Sequence, residues 1–205
     1  IKDGVAVTKF MYWLKTNVGK IPMDEVSISD KLEEFRKAQK DFYDLSFDTI
    51  CAYKENAALM HYKAEPGKCA TVTNEGLLLI DSGGQYFDGT TDITRTFVLG
   101  NISDIERRDY TVALKALLRL QDARFIAGTT GPNLDLFARE MVYKYNLDYR
   151  CGTGHGVGHF LNVHEGPNGF RPKDRPGSNA MCAFEPGMIT TDEPGIYIEN
   201  SHGVR

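Results

Sequence analysis

A chain of 205 residues can bury about 70% of its unfolded surface in one core, so a single domain is the default. With 41% hydrophobic and 25% charged residues it falls in the globular range, and a net charge of -4 without a basic cluster leaves no footprint for nucleic acid or a membrane surface. No apolar run reaches membrane-spanning length, and Cys51, Cys69, Cys151 and Cys182 show neither Cys-x-x-Cys pairing nor disulfide-rich spacing, which suggests a reducing cytoplasm.

In chain order, Val5, Phe10, Met11, Leu14 and Val18 form an amphipathic pattern that predicts a first helix with no cap before it. Ser27 to Tyr43 reads as a second helix, with Leu32, Phe35 and Gln39 along one face. Gly76 to Asp81 reads as a buried strand, Gly83, Gly84, Asp88 and Gly89 as turn formers, and Thr90 to Leu99 as a second strand rich in β-branched and aromatic residues. The pair predicts a hairpin. A third helix starts at Ser103, where Glu106 completes a capping box, and runs to about Ile126. Gly128 to Pro132 breaks it, and Asn133 to Tyr145 forms a fourth helix with Leu134, Phe137 and Met141 inward. The organisation is α+β, without an internal repeat.

The hairpin carries the first chemical signal. Asp81 and Asp92 lie on either side of its turn, and a lone carboxylate at the inner end of an apolar strand costs roughly several kcal/mol to desolvate. If both meet at one end of the sheet, a divalent cation would relieve their repulsion. Asp88, which precedes Gly89, reads equally well as an Asx turn cap.

Three of the five histidines fall between Cys151 and His164. The His155 to His159 spacing invites a helical zinc reading, but Gly156 and Gly158 lie inside the span and each costs about 1 kcal/mol in a helix. No glutamate follows His155, as the helical metallopeptidase signature requires. An irregular strand fits better, and there the two histidines need not point the same way. Met188 to Thr191 then reads as a short apolar strand delivering Asp192 and Glu193 to a Pro-Gly turn, whereas Glu185 merely begins one.

Together these segments resemble the pita-bread metallopeptidase family and, within it, the aminopeptidase P group of Xaa-Pro aminopeptidases. The resemblance runs from Phe10 to Arg205 and implies a curved antiparallel sheet covered by helices, with residues 1–205 forming a metallopeptidase catalytic domain truncated at both ends. Position by position, it implies metal ligands at Asp81, Asp92, His155 and Glu193, a catalytic proton role for Glu193, and substrate-side catalytic histidines at His61 and His164, with Arg205 also at the substrate. It further implies two Mn2+ ions, with Co2+ or Zn2+ as other candidates, and hydrolysis by a hydroxide held between them. The substrate would be a peptide with proline in second position, which loses its N-terminal residue. A cytoplasmic homodimer completes the expectation. The oxygen-rich ligand set suits manganese better than a thiolate zinc centre does.

Two departures stand out. Cys151 occupies a position where many relatives carry a histidine, and the family's fifth ligand, a glutamate, falls two residues past Arg205. Zero or one ordered ion is therefore expected in these 205 residues, with Asp192 and Glu199 the nearest replacements for the absent carboxylate. Prolidase and methionine aminopeptidase share the ligand logic, but the segments around His61 and His164 argue against the latter. A pita-bread module that binds peptides without catalysis is the alternative from another class, and the presence of four ligands argues against it.

Overall fold

The computed structural model describes residues 1–160, 162–173 and 182–205. Helices α1 (Lys2–Asn17) and α2 (Glu25–Lys37) precede strand β1 (Phe42–Tyr53), a 3-10 turn (Lys54–Ala58) and strands β2 (Leu77–Tyr86), β3 (Gly89–Thr90) and β4 (Ile93–Val98). Helices α3 (Asp104–Gln121) and α4 (Gly131–Tyr143) follow, then β5 (Gly154–Val157), β6 (His164–Phe170), β7 (Ile196–Ile198) and β8 (His202–Val204).

The antiparallel sheet centres on β2, which pairs with β1 on one side and with β3 and β4 on the other; β5–β6 and β7–β8 form two ribbons. Every residue of β2 is buried, because successive side chains point to opposite faces and helices cover both. Leu78 and Ile80 pack with Phe10, Leu14, Ile28 and Leu32 of α1 and α2. Leu77 faces Val112, Ala116, Leu134 and Ala138 of α3 and α4, where Ile196 and Val204 of the β7–β8 ribbon join. Each buried Val, Leu, Ile or Phe side chain among these contributes about 1.5–3 kcal/mol.

The predicted α3 begins as read, with Ser103 as its cap and Glu106 closing the box, but it ends at Gln121. The second helix differs more. Its capping box uses Asp24 and Ser27, so it starts before Ser27, and it stops at Lys37. Asp41 then takes a positive φ of 63° and turns the chain into β1, so Phe42 and Tyr43 are strand rather than helix. Gln39, Lys40 and Asp41 carry no breaker, which hid the boundary from periodicity. Gly83 and Gly84 likewise lie inside β2, and the reversal falls at Phe87 and Asp88. Asp88 is an exposed turn residue that ion-pairs with Lys2 at 3.0 Å. Met188 to Thr191 forms no strand beyond a bridge between Thr190 and Gly156. Among the described residues, no helix is long and apolar enough to cross a membrane, and all four cysteines are free.

Candidate metal centre

Asp81 sits within β2, opposite Ile50 of β1 and Thr94 of β4, rather than at a strand end. Asp92 arrives from the link before β4. That link crosses directly over β2: a Cβ on Gly83 would lie 1.9 Å from the Thr91 carbonyl oxygen, so only glycine permits the approach. Ser46 Oγ donates to the same carbonyl at 2.7 Å and fixes the crossing.

His155 and Glu193 are set side by side by backbone pairing. Thr191 N donates to His155 O at 2.8 Å and Glu193 N to Thr153 O at 2.8 Å. Gly154 makes this possible, since a Cβ there would meet Thr191 O at 1.9 Å. The segment at 190–193 therefore runs along β5 and delivers its carboxylate to the imidazole.

His155 Nε2 lies 3.1 Å from Asp92 Oδ2 and 3.2 Å from Glu193 Oε1. Its Nδ1 faces Gly156 O at 2.9 Å, which assigns the proton there and leaves Nε2 toward the carboxylates. One donor atom from each of Asp92, His155 and Glu193 falls within 4.8 Å of the others. Asp81 does not join that group. Its Oδ2 pairs with Arg205 Nη1, while its Oδ1 is buried without a hydrogen-bond partner among the described residues.

The electrostatics fit a site built for cations. Burial pushes Asp81 up, the Arg205 charge opposes it, and Asp92 and Glu193 add to the rise, to about 6. Burial pulls His155 down, but hydrogen bonds to Asp92 and Glu193 outweigh it and raise it from 6.5 to about 10. Glu193 is pushed up by burial yet ends below the usual carboxylate range, because His155 and Thr191 hydrogen-bond to it. Two carboxylates and an imidazole nitrogen, with the unpartnered Asp81 oxygen alongside, make a donor set that suits a hard divalent ion.

A cleft of about 750 Å³ opens over this cluster, lined among others by His61, Cys151, His164 and Arg205. The His164 ring stands edge-on to His155, with centroids 4.1 Å apart, and burial followed by the His155 charge lowers its pKa. His61 is an exposed residue of the same cleft. Arg205, expected at the substrate, spends its guanidinium on Asp81, on Tyr197 Oη at 2.8 Å and on Met60 O at 2.8 Å. His159, Glu185 and Glu199 are exposed and do not line the cleft. Asp192 stays outside the donor cluster, and burial with the neighbouring Glu193 charge raises its carboxyl to about 7.

Sequence reasoning missed Thr191. Its hydroxyl donates to Glu193 Oε1 at 2.7 Å and accepts from His155 N at 2.9 Å, so it orients both groups. The Thr-Thr-Asp-Glu run was its only signal.

The profile of metallopeptidase family M24 matches residues 1–205. The chain belongs to metallopeptidase family M24. A probable Xaa-Pro aminopeptidase P from Tuber melanosporum is 46% identical over 206 residues, covering all of this chain and 33% of the relative. Its counterpart in Paracoccidioides lutzii is 47% identical over 207 residues, again with 33% of the relative covered. This M24 chain thus spans about a third of the length of these curated relatives.

Among solved structures, an X-prolyl aminopeptidase from Caenorhabditis elegans, a cytosolic enzyme with a di-nuclear active site, matches with a TM-score of 0.92 and 36% identity. The match covers 99% of this chain and 32% of that one. The Xaa-Pro dipeptidase from Bacillus anthracis matches with a TM-score of 0.81 and 30% identity, covering 98% of this chain and 52% of that one. The M24 chain has the pita-bread fold, with antiparallel strands packed under helices.

Proposed function

We propose that residues 1–205 are part of the catalytic domain of a metal-dependent aminopeptidase that releases the N-terminal residue from peptides with proline in second position. The observation that carries this reading is the meeting of Asp92, His155 and Glu193 donor atoms beside the buried Asp81 carboxylate, in a cleft that also holds His61 and His164. Similarity to proteins named as Xaa-Pro aminopeptidases supports the substrate class.

In this reading Asp81, Asp92, His155 and Glu193 would hold manganese, with two ions per site only in the intact domain, where a further carboxylate completes the set, and with cobalt and zinc as competing metals. Bound metal supplies a Lewis acid that acidifies water and polarises the scissile carbonyl. Glu193, oriented by Thr191, accepts the nucleophile's proton and passes it to the leaving amine. His164 and His61 donate hydrogen bonds to the developing oxyanion or the adjacent peptide carbonyl. Arg205 fixes Asp81 at the cleft floor and extends the same wall toward the substrate. The protein acts in the cytoplasm as a homodimer.

Hydrolysis of an Arg-Pro-Pro peptide by the intact domain, rather than by residues 1–205 alone, with manganese added tests the proposal. Release of arginine is the expected product. The similarity to a Xaa-Pro dipeptidase favours a second reading, prolidase, which predicts cleavage of Xaa-Pro dipeptides only. Release of N-terminal methionine from peptides lacking proline would overturn both.

A further inference from the structure

The cleft segment at residues 60–62 is held from two sides, and one anchor lies far from the metal centre in sequence. Glu25, the first residue of α2, is fully buried. Its Oε1 accepts from Tyr53 N at 2.6 Å and Asn56 Nδ2 at 3.0 Å. Its Oε2 accepts from Tyr62 Oη at 2.8 Å, Ala70 N at 2.9 Å and Asn56 Nδ2 at 3.2 Å. These donors come from the end of β1, the 3-10 turn, the cleft segment and the chain beyond it.

From the other side, β8 presses on the 3-10 turn. A Cβ on Gly203 would lie 1.8 Å from Ala57 O, and Arg205 Nη2 donates to Met60 O at 2.8 Å. His61 sits between these anchors, exposed to the cleft, with no hydrogen bond of its own among the described residues. Its placement depends on its neighbours. The Tyr62 ring packs against Ile50, Ala52, Ala57 and Leu79, which fixes the hydroxyl as well as the backbone. Burial and then the Glu25 carboxylate raise the Tyr62 pKa, so the phenol remains a donor.

A buried carboxylate is an inefficient way to gain stability, since apolar groups of similar volume usually do as well. Its use here is better explained by what it positions. We infer that Glu25, acting through Tyr62 and Asn56 and opposed by Arg205, is a positioning residue that holds His61 facing the reacting carbonyl. The inference rests on the role given to His61 under the proposed function. Small displacements of a group that contacts the transition state are costly, up to about 100-fold for 1 Å.

The test is Tyr62→Phe in the manganese-loaded protein, because it keeps the ring packing and removes a single hydroxyl. Glu25→Gln serves as a second variant that retains volume. Turnover of the Xaa-Pro peptide should fall about tenfold with KM changed less than about twofold and metal content unaltered. In a His61→Ala background, Tyr62→Phe should cost less than about twofold further, since the two act as one unit. Amide hydrogen exchange at residues 59–63 should quicken about tenfold while exchange around His155 and Glu193 stays unchanged. An equal loss of turnover in the His61→Ala background would overturn the inference, and so would unchanged exchange at residues 59–63. If the intact domain without substitutions fails to cleave Xaa-Pro peptides, the functional reading falls, and the exchange measurement alone then decides whether Glu25 and Tyr62 hold the segment.

Discussion

Arg205 reaches across 124 residues of sequence to pair with Asp81, and both side chains are 7% exposed. The guanidinium supplies positive charge at the floor of a site that also holds Asp92 and Glu193. Removing one member of a buried pair strands the other, at a cost of about 3–5 kcal/mol. Arg205→Ala should therefore lower the melting temperature sharply in chelator, and added manganese should restore most of the loss by neutralising the freed carboxylate. Thermal unfolding with and without metal measures both; equal destabilisation under the two conditions would show that Asp81 does not face the cation site.

Metal binding should depend on pH through His155. Its pKa is raised in the folded state, so in chelator its contribution to stability is complete below its ordinary 6.5 and is lost as pH climbs toward about 10. An ion needs the Nε2 lone pair and must displace that proton. Manganese affinity should accordingly rise through this window by up to about tenfold per pH unit, and His155→Gln should abolish most of the slope. Titration calorimetry in buffers of different ionisation enthalpy would count the released proton.

Thr191→Val keeps the shape of the side chain while removing the hydroxyl that orients Glu193 and accepts from His155 N. Loss of such an outer partner typically costs about 10 to 100-fold in metal affinity or activity. Metal titration should place the variant in that range with the fold intact by circular dichroism. An unchanged affinity would mean that Glu193 holds its position without help.

His164→Ala tests the division of labour between metal and substrate groups. The ring touches His155 edge-on but contributes no atom to the donor cluster. Metal content should persist while kcat falls by about 100 to 1,000-fold, the usual cost of losing one oxyanion donor. Parallel loss of metal and activity would instead make His164 a ligand.

Gly154→Ala probes the backbone contact that joins β5 to the Glu193 segment. The added methyl would sit 1.9 Å from Thr191 O, so the two segments must part. Overpacking of this kind costs about 1–3 kcal/mol. The variant should also lose metal affinity, because the displacement separates His155 from Glu193. A stable variant with normal metal content would show that the ribbon absorbs the strain elsewhere.

The need for a counter-charge was legible in the residues themselves. Asp81 and Asp92 flank the hairpin turn and Glu193 precedes a Pro-Gly turn, and carboxylates placed there require a counter-charge wherever they end up in space, whereas the choice of His155 came only from the family resemblance. The α3 cap was equally readable, because a capping box involves only Ser103 and its neighbour Glu106. Elements set by longer-range packing were not. The second helix gives way to β1 near Asp41 because β1 pairs along the length of β2, and that gain overrides a locally permissive helix pattern. The partner of Asp81, the orienting hydroxyl of Thr191 and the Glu25 anchor behind His61 belong to the same class. Each joins groups from separate elements, so only tertiary packing could decide which buried polar atom meets which partner.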